Sequence, residues 1–172
     1  MFISRVSCMV GLKLAYIILG FILLSSCSGN GFHLRENVSL SGVHQAIAMQ
    51  GISPESDLYV TLEQAIAEAG GKVVSLPKAG SVIRISELKE GKKIVAYTEG
   101  RIAREYLVFL RFNYQLKYSD KILENRLINL DKTLIYDANF VLGKAEEERR
   151  ILHSLREEAA RLILLRLQYS KH

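Results

Sequence analysis

From Ile102 to Tyr118 the chain alternates with a period of two and never breaks stride. The even positions read Ile, Arg, Tyr, Val, Leu, Phe, Tyr, Leu, Tyr, and the odd ones Ala, Glu, Leu, Phe, Arg, Asn, Gln, Lys. One face of such a strand is apolar almost throughout, and the other turns polar from Arg111 onward. At about 3.3 Å per residue it runs over 50 Å, where strands of roughly six residues are usual. A domain of this size does not need that length to enclose its own core. The surplus predicts a structure that reaches into something else.

Its neighbours follow from the same periodicity. Ser119-Asp120 makes a turn, and Ile122 to Tyr136 returns as a second long strand, with a change of parity between Leu127 and Ile128 that a bulge or a strong twist would require. Val82–Ser86 and Ile94–Tyr97 flank Lys89–Lys93, and the pattern admits either two strands or one bent at Gly91. A short strand is expected around Ala46–Ile52. After Ser53-Pro54-Glu55-Ser56, apolar residues recur at helical spacing from Leu58 to Ala69, with Asp57 or Ser53 as cap and Gly70-Gly71 as stop. A last helix runs from about Asn139 to Tyr169, with Ala145, Leu152, Leu155, Ala159, Leu162 and Ile163 as its core stripe. Its apolar end, Leu162–Leu165, reads equally as a partner surface or a better-buried terminus. The order βαβββα predicts an α+β two-layer sandwich: a mixed sheet of about four strands, two helices packed on one face.

The N-terminal segment reads as an export signal. Arg5 and Lys13 precede an apolar run from Leu14 to Leu24, shorter than the roughly 20 residues a bilayer span requires. Leu24-Ser25-Ser26-Cys27 resembles the bacterial lipobox, so Cys27 is expected to carry diacylglycerol and an N-acyl chain. This divides the chain into a signal peptide (1–26), a lipidated tether (27–37) and one domain (38–172). Cys8 leaves with the signal, and no disulfide is then possible. The chain has 23 Lys and Arg against 18 Asp and Glu, and two of the cations lie in an acid-free signal, leaving a formal +3. That balance is too mild to imply nucleic acid.

Catalytic and metal-binding patterns are missing from the sequence. His33, His44, His153 and His172 share no metal-ligand spacing, and the glycines form no phosphate loop. His153 and Glu157, one turn apart, read as a surface pair rather than a base and its orienter. No enzyme activity, metal or cofactor is expected.

The chain resembles the LptE family of lipopolysaccharide-assembly lipoproteins of Gram-negative outer membranes. The resemblance rests on the lipid-bearing Cys27, on Gly31-Phe32-His33-Leu34-Arg35, on Ala103-Arg104-Glu105-Tyr106, on Tyr136-Asp137 and on Leu165-Arg166-Leu167. It departs from the family pattern where Ser28, Gly29 and Asn30 separate the cysteine from the signature glycine, and where Glu36 replaces a second glycine. The resemblance implies a lipid-anchored outer-membrane protein facing the periplasm, without catalysis. It would plug the β-barrel LptD, help it assemble, and bind lipopolysaccharide during insertion into the outer leaflet. Because that ligand is polyanionic, Arg101, Arg104 and Lys144 are expected to form a phosphate-contacting patch, joined by Lys92 and Lys93 if the strands pair there. Another small lipoprotein, a secretin pilotin or an auxiliary subunit of a lipid transporter, is the alternative reading.

Overall fold

The computed structural model describes residues 38–119, 121–135 and 143–169. The signal, Cys27, the tether, Tyr136-Asp137 and the first residues expected of the last helix lie outside them. Strand β1 (Ala46–Gln50) leads into helix α1 (Asp57–Glu68), the two-residue strand β2 (Lys72–Val73), and then β3 (Ser81–Tyr97), β4 (Ala103–Tyr118) and β5 (Lys121–Ile135). Helix α2 (Lys144–Tyr169) follows. The sheet order is β2-β1-β3-β4-β5, with β1 parallel to β2 and β3, and β3-β4-β5 an antiparallel meander. The expected α+β architecture holds, and the fifth strand is the short edge β2.

Periodicity sets the core. Val108, Leu110, Phe112, Tyr114 and Leu116 on β4 are all buried, beside Ile83 and Ile85 of β3 and Ile128 and Leu134 of β5. Leu58, Leu62 and Ile66 of α1 close over them, with Leu155, Ala159, Ile163, Leu164 and Leu167 of α2. The α2 terminus is thus a buried end rather than a free apolar surface. Ala145, expected in the stripe, is exposed.

Local geometry corrects several boundaries. Of the two readings of residues 82–97, the single strand holds, but its register with β4 breaks between Ser86 and Lys89 and again around Ala96, while Gly91 pairs with Phe109. The irregularity in β5 falls opposite Leu116/Lys117, at Leu123, and pairing runs unbroken through Leu127 and Ile128. Ser56, not Ser53 or Asp57, caps α1: its Oγ accepts from Tyr59 N at 3.3 Å and donates to the Ser53 carbonyl at 2.8 Å. Gly70 (φ 82°) ends α1 as expected, and Gly71 N reaches back to Ile66 O at 2.9 Å.

The β4 register assigns side chains to faces. Glu90, Lys92 and Ile94 of β3 oppose Leu110, Val108 and Tyr106 on the helix side. Lys89, Gly91 and Lys93 oppose Arg111, Phe109 and Leu107 on the other. Three contacts tie α2 to the sheet. The Arg156 guanidinium donates to both Glu90 oxygens (3.0 and 2.7 Å) and meets Asp57 at 2.9 Å; Lys132 Nζ bonds Ser154 Oγ at 2.6 Å; Lys92 pairs with Glu148.

Candidate functional site

The β3–β4 turn, Thr98–Ile102, forms the tip of the meander. Thr98 N donates to Ile102 O at 2.8 Å and Arg101 N to Thr98 O at 2.9 Å, while Thr98 Oγ1 accepts from Ile102 N at 3.2 Å. Arg101 sits in the left-handed region (φ 59°), which closes the turn tightly and leaves its side chain exposed. Five large apolar residues gather at this end: Ile94, Val95, Tyr97, Ile102 and Ile135 are all exposed. A concentration of that kind at one end of a sheet makes the tip a candidate interaction surface.

Among the expected patch residues, Arg101 lies in the turn and Arg104 just beyond it, on the helix side of β4. Both are exposed, and neither makes an ion pair among the described residues. Lys92 shares that side, pairs with Glu148 and stands 5.5 Å above the Tyr106 ring. Lys144 is close by but engaged: its Nζ bonds the Ile135 carbonyl at 2.6 Å and Glu147 at 2.8 Å, tying the start of α2 to the end of β5. Lys93 points to the opposite face. The tip therefore brings together two free guanidiniums and two acid-paired lysines, with the fifth cation turned away.

Sequence reasoning did not find the acids that hold these lysines. Glu148, Leu152, Leu155 and Arg156 follow the spacing i, i+4, i+7, i+8, which places them on one helix face. A charged residue at each end of an apolar stripe was the available signal for contacts with the sheet. It also missed the buried Tyr114 with the half-buried Glu124 carboxylate beside it, which Arg126 meets at 2.7 Å. Burial, and then the Glu124 charge, push the Tyr114 phenol up to about 12. His153 and Glu157 lie 3.6 Å apart on the exposed side of α2, a surface pair. Among the described residues no cluster of His, Cys, Asp and Glu has the arrangement of a metal site, and no helix is long and apolar enough to cross a membrane.

The sequence model of the family described as LptE, lipopolysaccharide-assembly, matches residues 45–167. No curated protein matches the chain. Similar solved structures include a minor lipoprotein of Acinetobacter baumannii, at 19% identity and TM-score 0.60, covering 73% of this chain and 92% of that one. Lipoprotein B of Nitrosomonas europaea aligns at 23% identity and TM-score 0.61, covering 77% and 89%. Rare lipoprotein B of Shewanella oneidensis aligns at 16% and 0.60, covering 70% and 91%. At these identities the likeness is one of fold.

Proposed function

This chain belongs to the LptE lipopolysaccharide-assembly family, and we propose that it is an outer-membrane lipoprotein, anchored through acylated Cys27, that plugs and helps assemble an LptD β-barrel and contacts lipopolysaccharide at its meander tip. The family match over residues 45–167 carries the reading. The tip chemistry supports it. A polyanionic glycolipid needs fork-shaped donors for its phosphates and apolar surface for its acyl chains. Arg101 and Arg104 offer the donors, and Ile94, Val95, Tyr97 and Ile102 the apolar surface. Lys92 and Lys144 are balanced by Glu148 and Glu147, which leaves the anion-binding role to the two guanidiniums. The sheet face away from the helices carries Arg84, Asn113, Gln115 and Asn129, a polar lining suited to the polar lumen of a barrel. Residues on this chain assist assembly by binding and shape, and no turnover is assigned to them.

The test uses the full-length lipidated protein. Pull-down from solubilised outer membrane should recover a stoichiometric barrel whose gel mobility changes on boiling. Arg101→Glu with Arg104→Glu should keep that barrel and weaken lipopolysaccharide binding at least tenfold. Recovery of the protein alone would sink the plug assignment. Unchanged lipopolysaccharide affinity would move the contact away from the tip.

A further inference from the structure

The sheet face opposite the helices carries a charged cleft that the tip does not use. Where the β3–β4 register breaks between Ser86 and Lys89, Glu87 takes φ 56°. Glycine occupies that conformation without strain in bulges of this kind, and a residue with a side chain does not. Here the side chain is kept and fixed: Asn113 Nδ2 donates to Glu87 Oε2 at 2.9 Å. Beside it, Lys89 and Arg111 stand directly opposite one another across the two strands. Both are exposed, and neither meets an acid within salt-bridge distance among the described residues. Like charges so placed weaken strand pairing. Leu127 opposes Asn113 on β5 and is 48% exposed. These residues, with Phe112, line a cleft of about 140 Å³.

A strained backbone at Glu87 and two like charges directly opposed at Lys89 and Arg111 are features that folding alone does not favour. We propose that this cleft binds one anionic sugar unit. Its carboxylate or phosphate would lie between Lys89 and Arg111, its hydroxyls would bond the Glu87 carboxylate and the free groups of the Asn113 amide, and its ring would rest on Leu127. The mixed lining selects this class. A site for bare phosphate gains nothing from a carboxylate in its wall, and a neutral sugar has no use for two unpaired cations. The volume lies below the roughly 300–1,000 Å³ typical of pockets for drug-sized ligands, which restricts the occupant to a single ring. The inference does not rest on the tip reading, since Lys89 and Arg111 lie on the opposite face from Lys92.

Isotope-labelled full-length protein in detergent micelles, titrated with glucuronate and followed by amide and side-chain NMR, tests it. Saturable shifts confined to Glu87, Lys89, Arg111, Asn113 and Leu127 are expected, at least tenfold weaker for glucose and for inorganic phosphate. Lys89→Gln with Arg111→Gln should lower glucuronate affinity at least tenfold. Both residues are exposed, so the spectrum should remain that of a folded protein. A glucuronosyl diacylglycerol placed in the micelle separates the two sources of the sugar: tighter binding than the free acid identifies a lipid headgroup, and equal binding identifies a soluble sugar. Shifts spread over every Lys and Arg without saturation would overturn the assignment, as would equal binding by the double variant or by glucose.

Discussion

Arg156→Met should weaken the fold by about 2–4 kcal/mol, chiefly by undocking α2 from β3. The side chain is 10% exposed, and three contacts leave its guanidinium. Asp57 is 72% exposed, so its share is at most about 1 kcal/mol. Glu90 is different. At 34% exposure, it accepts two charge-assisted hydrogen bonds and would be left half-buried and unpaired, recovering only part of its hydration. Methionine keeps the aliphatic stem, so the loss reports the charge contacts more than the packing. With a urea m-value of about 1–3 kcal/mol/M, the midpoint should fall by about 1–2 M. The assay is urea denaturation followed by circular dichroism, on wild type, Arg156→Met, Glu90→Gln and the double variant. The cycle should give a coupling energy of about 1.5–3 kcal/mol. A coupling below about 0.5 kcal/mol would refute the reasoning, because the bidentate contact would then contribute nothing beyond solvation of its separate halves.

Two further outcomes follow from the same packing. With its phenol pushed up to about 12, Tyr114 stays protonated in the folded protein while the unfolded chain ionises near 10. Its contribution is therefore complete below about pH 10 and is lost as pH rises towards 12, up to about 2–3 kcal/mol in all. Urea midpoints measured from pH 9 to 12 should fall more steeply for wild type than for Tyr114→Phe, and parallel curves would contradict the raised phenol that burial and the Glu124 charge produce. Gly51→Ala should lower stability by more than about 3 kcal/mol: φ is 78°, and an added Cβ would stand 2.0 Å from the Ile85 carbonyl oxygen. Gly70→Ala, at φ 82° with nothing within 4 Å, should lose only about 1 kcal/mol, so thermal unfolding of the two variants separates clash from strain.

The sheet was legible because β4 alternates cleanly, and alternation encodes which side chains face the core. Its breaks were less so. The parity change at Leu127 suggests a bulge or a strong twist, yet Leu127 is simply an exposed apolar residue on the outer face, and the register shift falls at Leu123. Strand β2 has no signature in the sequence because two residues, Lys72 and Val73, hold no period; they pair only because β1 lies alongside. In the tip, the sequence supplied the cations but not their partners. Lys144 donates to Ile135 O because α2 begins beside the end of β5, a proximity set by tertiary packing, whereas Glu147 is its neighbour three residues on along the same helix. The Lys89–Arg111 opposition depends on a register that the Ser86–Lys89 break resets, and no local pattern announces that break.

The topology bears on the order in which the chain is made. Strands β3 to β5 are contiguous, each pairing with the next, so the meander can close as it emerges from synthesis. The helix that supplies half of its cover, α2, comes after all of them. Until that helix arrives, Val108, Phe112 and Ile128 face water on a nearly complete sheet. The growing chain thus passes through a sticky stage that ends only when Leu155 to Leu167 dock, and a ribosome stalled ahead of α2 would present a chaperone with a ready-made apolar surface.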